Sequence, residues 1–82
     1  MASSSVRCPC CRFMTLTGRG LDEICQVCLW HDDGQDDPHA EEVWGGPNGN
    51  LSLMEARRNF RAMGAVERRF LAHVRKPRED EM

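Results

Sequence analysis

The sequence has no tyrosine, only two tryptophans and three phenylalanines among its 82 residues, and no long apolar run. A domain of this size buries only about 60% of the surface that its unfolded chain exposes. With so few aromatic side chains the apolar core is thin, so disulfides, a metal ion or oligomerisation are expected to add stability. One domain accounts for the whole length.

Two further absences concern membranes and secretion. No apolar stretch approaches the roughly 20 residues that a membrane-spanning helix needs, so a membrane partner is not expected. The first seven residues, Met1 to Arg7, lack the apolar segment of a secretion signal. The sequence therefore predicts a cytoplasmic protein.

Cysteine, by contrast, is abundant, with five residues in this short chain. Thiols in a reducing cytoplasm seldom form lasting disulfides, and patterned cysteines there more often bind metal or carry out redox chemistry. An odd number also fits a disulfide framework poorly, because one thiol is left over. The composition therefore favours a metal site.

Four of these cysteines form two C-x-x-C pairs, Cys8 with Cys11 and Cys25 with Cys28, and 13 residues separate the pairs. A two-residue gap curls the backbone into a turn, here called a knuckle, whose thiolates point to a common centre about 2.3 Å away. Two knuckles complete a tetrahedron and leave no open position, so the ion is predicted to be structural. We expect one zinc ion per chain, with iron as the less favoured alternative.

The fifth cysteine, Cys10, lies inside the first knuckle. One interpretation is a reactive thiol whose pKa is lowered by the adjacent metal. The favoured interpretation is a small, effectively hydrophobic side chain that points away from the site.

Strand and turn signals lie between and after the knuckles. Residues 12–17 have the β-branched and aromatic content of a strand, residues 18–20 supply a turn, and residues 21–24 are the predicted returning strand. Residues 31–50 are predicted to form a loop, with Val43 and Trp44 folding back over the knuckles.

The clearest helix is predicted over residues 53–63. Ser52 and Glu55 form a capping box at its start, and Gly64 suits the position just after its end. One apolar stripe recurs at helical spacing, and its members are Leu53, Ala56, Phe60 and Met63. A weaker helical pattern runs from about Val66 to Val74.

The predicted organisation is a flexible tail over residues 1–7, a single zinc-binding domain over 8–76 and a mobile tail over 77–82. The predicted fold class is a small metal-stabilised α+β domain. It has zinc-ribbon or rubredoxin-like knuckles and a short antiparallel β-hairpin, followed by one firm helix and a short second helical element.

Charge is divided unevenly along the chain. Residues 1–50 hold three basic and eight acidic residues, a net charge of −5, whereas residues 51–78 hold eight basic and two acidic residues, a net charge of +6. The two halves either attract each other within the fold or leave a basic face for an anionic partner. The candidate anion-binding residues are Arg57, Arg58, Arg61, Arg68 and Arg69.

The acidic segment from His31 to His39 offers several carboxylates and two imidazoles. Its spacing does not match a calcium loop, and the chain contains no H-E-x-x-H sequence. We therefore expect a solvated acidic loop in which some aspartates cap turns, rather than a second metal site.

Taken together, three blocks of the sequence resemble the bacterial cysteine-rich CPCC family over about residues 7–78. The resemblance implies a small zinc-ribbon-like domain followed by a helix, without an established activity. His31 stands where an acidic residue is usual, and Leu29 where glycine, which allows positive φ, commonly follows the second pair. The matching blocks are Cys8-Pro9-Cys10-Cys11, residues 24–30 with Asp32 and Asp33, and residues 52–65 around Ser52-Leu53, Glu55-Ala56-Arg57, Asn59-Phe60 and Gly64-Ala65.

The leading functional hypothesis is a non-enzymatic module in which structural zinc supports a protein-interaction surface. One alternative is nucleic-acid binding through the arginine-rich second half, although few aromatic residues are available to stack on bases. A third is a thiol-redox or metal-handling protein that uses Cys10.

Overall fold

The computed structural model describes residues 6–82, so most of the predicted N-terminal tail lies outside the described residues. Its strands are β1 (Val6–Arg7), β2 (Met14–Leu16), β3 (Glu23–Ile24) and β4 (His31–Asp32), and its α-helix is α1 (Leu53–Met63). Single turns of 3₁₀ helix lie at Asp37–His39, Gly46–Asn48, Arg68–Phe70 and Glu79–Glu81. The small α+β class is confirmed.

The strands form two separate antiparallel hairpins, β1 with β2 and β3 with β4. Val6 pairs with Leu16, and Glu23 pairs with Asp32. The expected pairing of residues 12–17 with 21–24 is therefore wrong. Each knuckle itself reverses the chain and so serves as the hairpin connection, whereas residues 18–20 join one hairpin to the next.

Helix α1 has the bounds that the sequence predicts, and its ends explain why. Of the two hydrogen bonds of a capping box, the structure shows the one that Glu55 N–H donates to Ser52 Oγ at 3.1 Å. Gly64 adopts φ 89° and donates its N–H to Phe60 O, which ends the helix in the left-handed conformation that glycine favours. Among the described residues, no helix has the length and apolar character needed to cross a lipid bilayer.

The core surrounds the cysteines, and Trp30 is its largest fully buried side chain. From α1, Leu53 and Ala56 are fully buried, but Phe60 and Met63 are only half-buried. The fully buried face of α1 is thus narrower than the predicted stripe, and Phe60 is partly exposed because it lines surface grooves.

Polar side chains, rather than apolar ones, hold the loop over residues 33–50. Val43 and Trp44, the predicted anchors, are 54% and 45% exposed, so that prediction is wrong. Gln35 is fully buried instead, and its amide donates to the carbonyl oxygens of His39 and Glu42. These two bonds close the loop on itself and give the buried amide nitrogen of Gln35 two acceptors.

The acidic segment is also less solvated than expected. Asp32 is fully buried and accepts hydrogen bonds from Arg19 Nε and Gly20 N–H, both at 2.8 Å. Arg19 extends further to Asp36 Oδ2 at 2.7 Å and to the carbonyl oxygen of Gln35. A buried carboxylate is tolerated because it is paired and hydrogen-bonded, so this arginine joins the turn after β2 to the loop after β4.

Beyond α1 the chain returns to the knuckles. The second helical pattern forms only the single turn Arg68–Phe70. Before it, Val66 N–H donates to Cys28 O. The tail over residues 77–82, which the sequence predicts to be mobile, packs against the domain. Glu81 is buried, and its carboxylate accepts hydrogen bonds from both terminal nitrogens of Arg75, at 2.7 and 2.8 Å. This ion pair lowers the pKa of Glu81 to about 2.

The role of Gln35 gives a direct test. Gln35→Glu removes two donors and places a carboxylate against two carbonyl oxygens, so the free energy of unfolding should fall by about 3 kcal/mol at pH 7. Chemical denaturation of the metal-loaded protein measures this change. Asn50→Asp, the same type of change at an exposed position of the same loop, is the control, and equal stability of the two variants would contradict the anchoring role.

Candidate metal centre

The first knuckle is fixed by its own backbone. Cys8 N–H donates to Phe13 O, and Arg12 N–H donates to Cys8 O, both at 2.9 Å. Arg12 adopts φ 71°, in the left-handed region. The turn therefore brings the thiols of Cys8 and Cys11 to the same side of the chain.

The second knuckle repeats this hydrogen-bond pattern. Cys25 N–H donates to Trp30 O at 2.9 Å, and Leu29 N–H donates to Cys25 O at 2.8 Å. Leu29 also adopts φ 71°, although a side chain there costs about 1–2 kcal/mol relative to glycine. The knuckle thus keeps the backbone that glycine would favour, and Leu29 packs its side chain against the core.

The two knuckles bring their four sulfur atoms together. The Sγ atoms of Cys8, Cys11, Cys25 and Cys28 all lie within 4.8 Å of one another, and all four residues are buried. Two of the separations, Cys8 to Cys28 and Cys11 to Cys25, are 3.6 Å. A tetrahedron with zinc–sulfur bonds of 2.3 Å has edges of about 3.8 Å, so the arrangement suits a four-coordinate ion.

The acidities of these thiols show why a cation fits. Hydrogen bonds from Cys11 and the other cluster thiols lower the pKa of Cys25. The pKa of Cys28 is raised, first by its hydrogen bond with Cys10, and that of Cys11 is raised, first by its bond with Cys25. The pKa of Cys25 is thus shifted in the opposite direction to those of Cys11 and Cys28, because like charges this close repel. Holding all four as thiolates requires a positive ion at their centre.

Thr15 is a further member of the site that sequence reasoning missed. Its hydroxyl is buried and donates to Cys25 Sγ at 3.0 Å. A hydrogen bond of this type orients a ligand and stabilises its negative charge. Thr15 and its neighbour Leu16 are both buried although successive residues of a strand point to opposite faces, so alternation along β2 carries no signal for the Thr15 contact.

Cys10 is buried in the core that surrounds the cluster, and it is the largest cause of the raised pKa of Cys28. It nevertheless lies outside the set of four sulfur atoms that converge. Its role stays a prediction. All five cysteines are free thiols.

The candidate anion-binding arginines fall into two groups. Arg57 donates to Asp37 Oδ1 at 2.7 Å, and Arg69 pairs with Glu67 and lies over the ring of Phe70. Three others have exposed side chains and no salt-bridge partner among residues 6–82, namely Arg58, Arg61 and Arg68. The expected attraction between the two halves of the chain is realised in the Arg57–Asp37 pair.

No second converging set of ligands accompanies the four cysteines within the described part of the chain. His39 contacts Glu42 through Nδ1 at 3.1 Å, and Asp36 caps the 3₁₀ turn that follows it. The aspartates of the loop cap turns and pair with arginines.

Comparison with known proteins gives one match. A family model described as cysteine-rich CPCC matches residues 6–81, which include both knuckles, α1 and the C-terminal turn. No curated protein and no solved structure matches the chain.

Substitution of the cysteines tests the ligand set. Serine at Cys8, Cys11, Cys25 or Cys28 should abolish stoichiometric metal binding and leave a largely unfolded chain, since metal binding supplies folding free energy. Cys10→Ser should keep one ion per chain and a native-like spectrum. Native mass spectrometry and circular dichroism of the five variants measure both. Loss of the metal from Cys10→Ser, with retention in Cys8→Ser or Cys11→Ser, would show that the first knuckle is assigned wrongly.

A second test concerns Thr15. Thr15→Val removes the hydrogen bond to Cys25 at nearly constant volume, so metal affinity should fall about tenfold while stoichiometry is kept. Competition with a chromophoric chelator reports the affinity. Thr17→Val is the matched control, because it removes a hydroxyl that binds Glu23 rather than a cysteine. An equal loss of affinity in both variants would mean that the Thr15 bond has no specific effect.

Proposed function

The chain belongs to the cysteine-rich CPCC family, and we propose that it is a non-enzymatic module whose four cysteines hold one structural zinc ion and thereby support a protein-interaction surface. The observation that carries the proposal is the convergence of four buried sulfur atoms in the middle of a small core. Metal binding and folding are coupled in such a domain.

The buried position of the cluster supports a structural rather than a catalytic ion. Catalytic zinc sites have three protein ligands and keep a fourth position for water or substrate. Here four sulfur atoms would occupy all four coordination positions of a tetrahedral ion. The cysteines that carry them are fully or almost fully buried. Zinc is the natural ion for four thiolates with this geometry, while iron fits the same set of sulfur ligands.

The apolar surface supports the interaction part of the proposal. Leu21 is 67% exposed, and Ile24, Trp44 and Leu71 are exposed as well. Single exposed apolar residues are ordinary, and these four give the domain apolar surface that a partner protein would cover. Protein binding is preferred to nucleic-acid binding because two of the five candidate arginines, Arg57 and Arg69, already pair with acids. The chain also has only five aromatic residues that could stack on bases.

Metal identity and metal-dependent binding can be tested on one preparation. Protein purified under reducing conditions should carry one zinc by elemental analysis and show no visible absorption from iron–thiolate bonds. The protein should also capture a partner when it is used as an affinity bait in a lysate of its native host. The complex of the two should form again when both are mixed as purified proteins. Chelation should unfold the bait and release that partner. A chain without metal, or a complex insensitive to chelation, would contradict the proposal.

A further inference from the structure

A groove of about 440 Å³ lies between the first knuckle and α1. It combines three apolar side chains with three guanidinium groups, and its main lining residues are Phe13, Met54, Phe60, Arg12, Arg57 and Arg61. We propose that this groove docks a partner segment in which an acidic residue lies next to a bulky apolar one. The inference rests on the proposed function and names the partner chemistry.

The metal knuckle forms one wall of the groove, and α1 forms the other. Cys10 and Cys11 belong to the knuckle wall. Arg57 joins the two walls, since its Nε donates to Pro9 O at 2.8 Å and its side chain is only 14% exposed. The width of the groove therefore depends on an intact knuckle.

Charge selects an acidic occupant. Asp37 Oδ1 accepts from Arg57 at 2.7 Å and from Arg12 at 3.3 Å, and these arginines lower the pKa of the Asp37 carboxyl, the Arg57 hydrogen bond most of all. Arg61 has no salt-bridge partner among the described residues, so the three guanidinium groups and one carboxylate carry a net charge of +2. Arg57 and Arg61 lie one helical turn apart and repel each other, which an incoming carboxylate would relieve.

The apolar part of the groove selects a bulky neighbour for that carboxylate. Phe13, Met54 and Phe60 pack against the core but are only half-buried, so each keeps a face toward the groove. Methionine adapts its shape to different apolar partners. Burial of one large side chain here, beside a charge-assisted hydrogen bond to arginine, is the usual composition of a binding hot spot.

Two other occupants are less well matched. A nucleic acid would need a continuous basic track with stacking aromatics, whereas this groove is short and its floor is largely aliphatic and aromatic carbon. A second copy of this chain could offer its acidic C-terminal residues, but Glu81 is already bound by Arg75. Binding of a nucleic acid and self-association of the chain are therefore both measured alongside peptide binding.

The test is selection of a displayed library of random 12-residue peptides on the zinc-loaded protein. Enriched peptides should be acidic and should contain a large apolar residue next to the acid. In titrations followed by NMR, a selected peptide should shift the amide signals of Phe13, Phe60 and Arg61. Enrichment of basic or uncharged peptides, absence of enrichment, or tighter binding of a 12-nucleotide single-stranded DNA would overturn the proposal.

Two charge reversals supply the matched controls. Arg61→Glu should weaken a selected peptide at least about tenfold, whereas Arg68→Glu, an equal charge change at an exposed residue outside the groove, should change its affinity less than twofold. Both variants should retain one metal ion and the wild-type melting temperature. Equal effects of the two reversals would show non-specific attraction and overturn the proposal, as would self-association of the protein that blocks the groove.

Failure of this inference can be told apart from failure of the proposed function. If Arg61→Glu still captures the partner from the lysate in a chelator-sensitive manner, the interaction module stands and the partner binds elsewhere. If no metal-dependent partner exists, the proposed function fails whatever the peptide selection gives.

Discussion

Convergence of four sulfur atoms is the constraint on which the rest of this fold depends. The remainder of the chain is attached to the knuckle backbone as well as to the core: Val66 N–H donates to Cys28 O, Arg75 N–H to Gln26 O, and Arg57 Nε to Pro9 O. Carbonyl groups of the knuckles thus position the C-terminal half. If the knuckles lose their shape, these acceptors move with them, and little apolar core remains to hold the other elements in place.

The parts of the fold that could be predicted from sequence are those whose determinants lie close together along the chain. Helix α1 was predicted to the residue because Ser52 caps its start and Gly64 ends it. The four cysteines were recognised as a group because the two-residue gap has a direct geometric meaning. The predicted strand pairing is wrong, because glycine-containing turns such as residues 18–20 commonly close hairpins whereas here each knuckle reverses the chain itself.

The parts that could not be predicted depend on single polar contacts between distant residues. Hydropathy favoured Val43 and Trp44 as anchors of the long loop, yet Gln35, a residue with no distinguishing pattern, holds it from inside. Arg19 reaches Asp32 and Asp36 across a loop, and Thr15 reaches Cys25 from the neighbouring hairpin. Such bonds are specified only after the chain has folded, so spacing rules carry no signal for them.

The two-hairpin arrangement has a consequence for how an ion would enter and leave. Each hairpin contributes both ligands of one pair, and each pair is closed by hydrogen bonds local to its own turn. The two hairpins contact each other through the packed core and through side-chain hydrogen bonds such as Thr15 to Cys25, Thr17 to Glu23 and Arg19 to Asp32. Opening one hairpin would therefore separate two ligands from the site at once, while the other hairpin still holds its own pair of cysteines together.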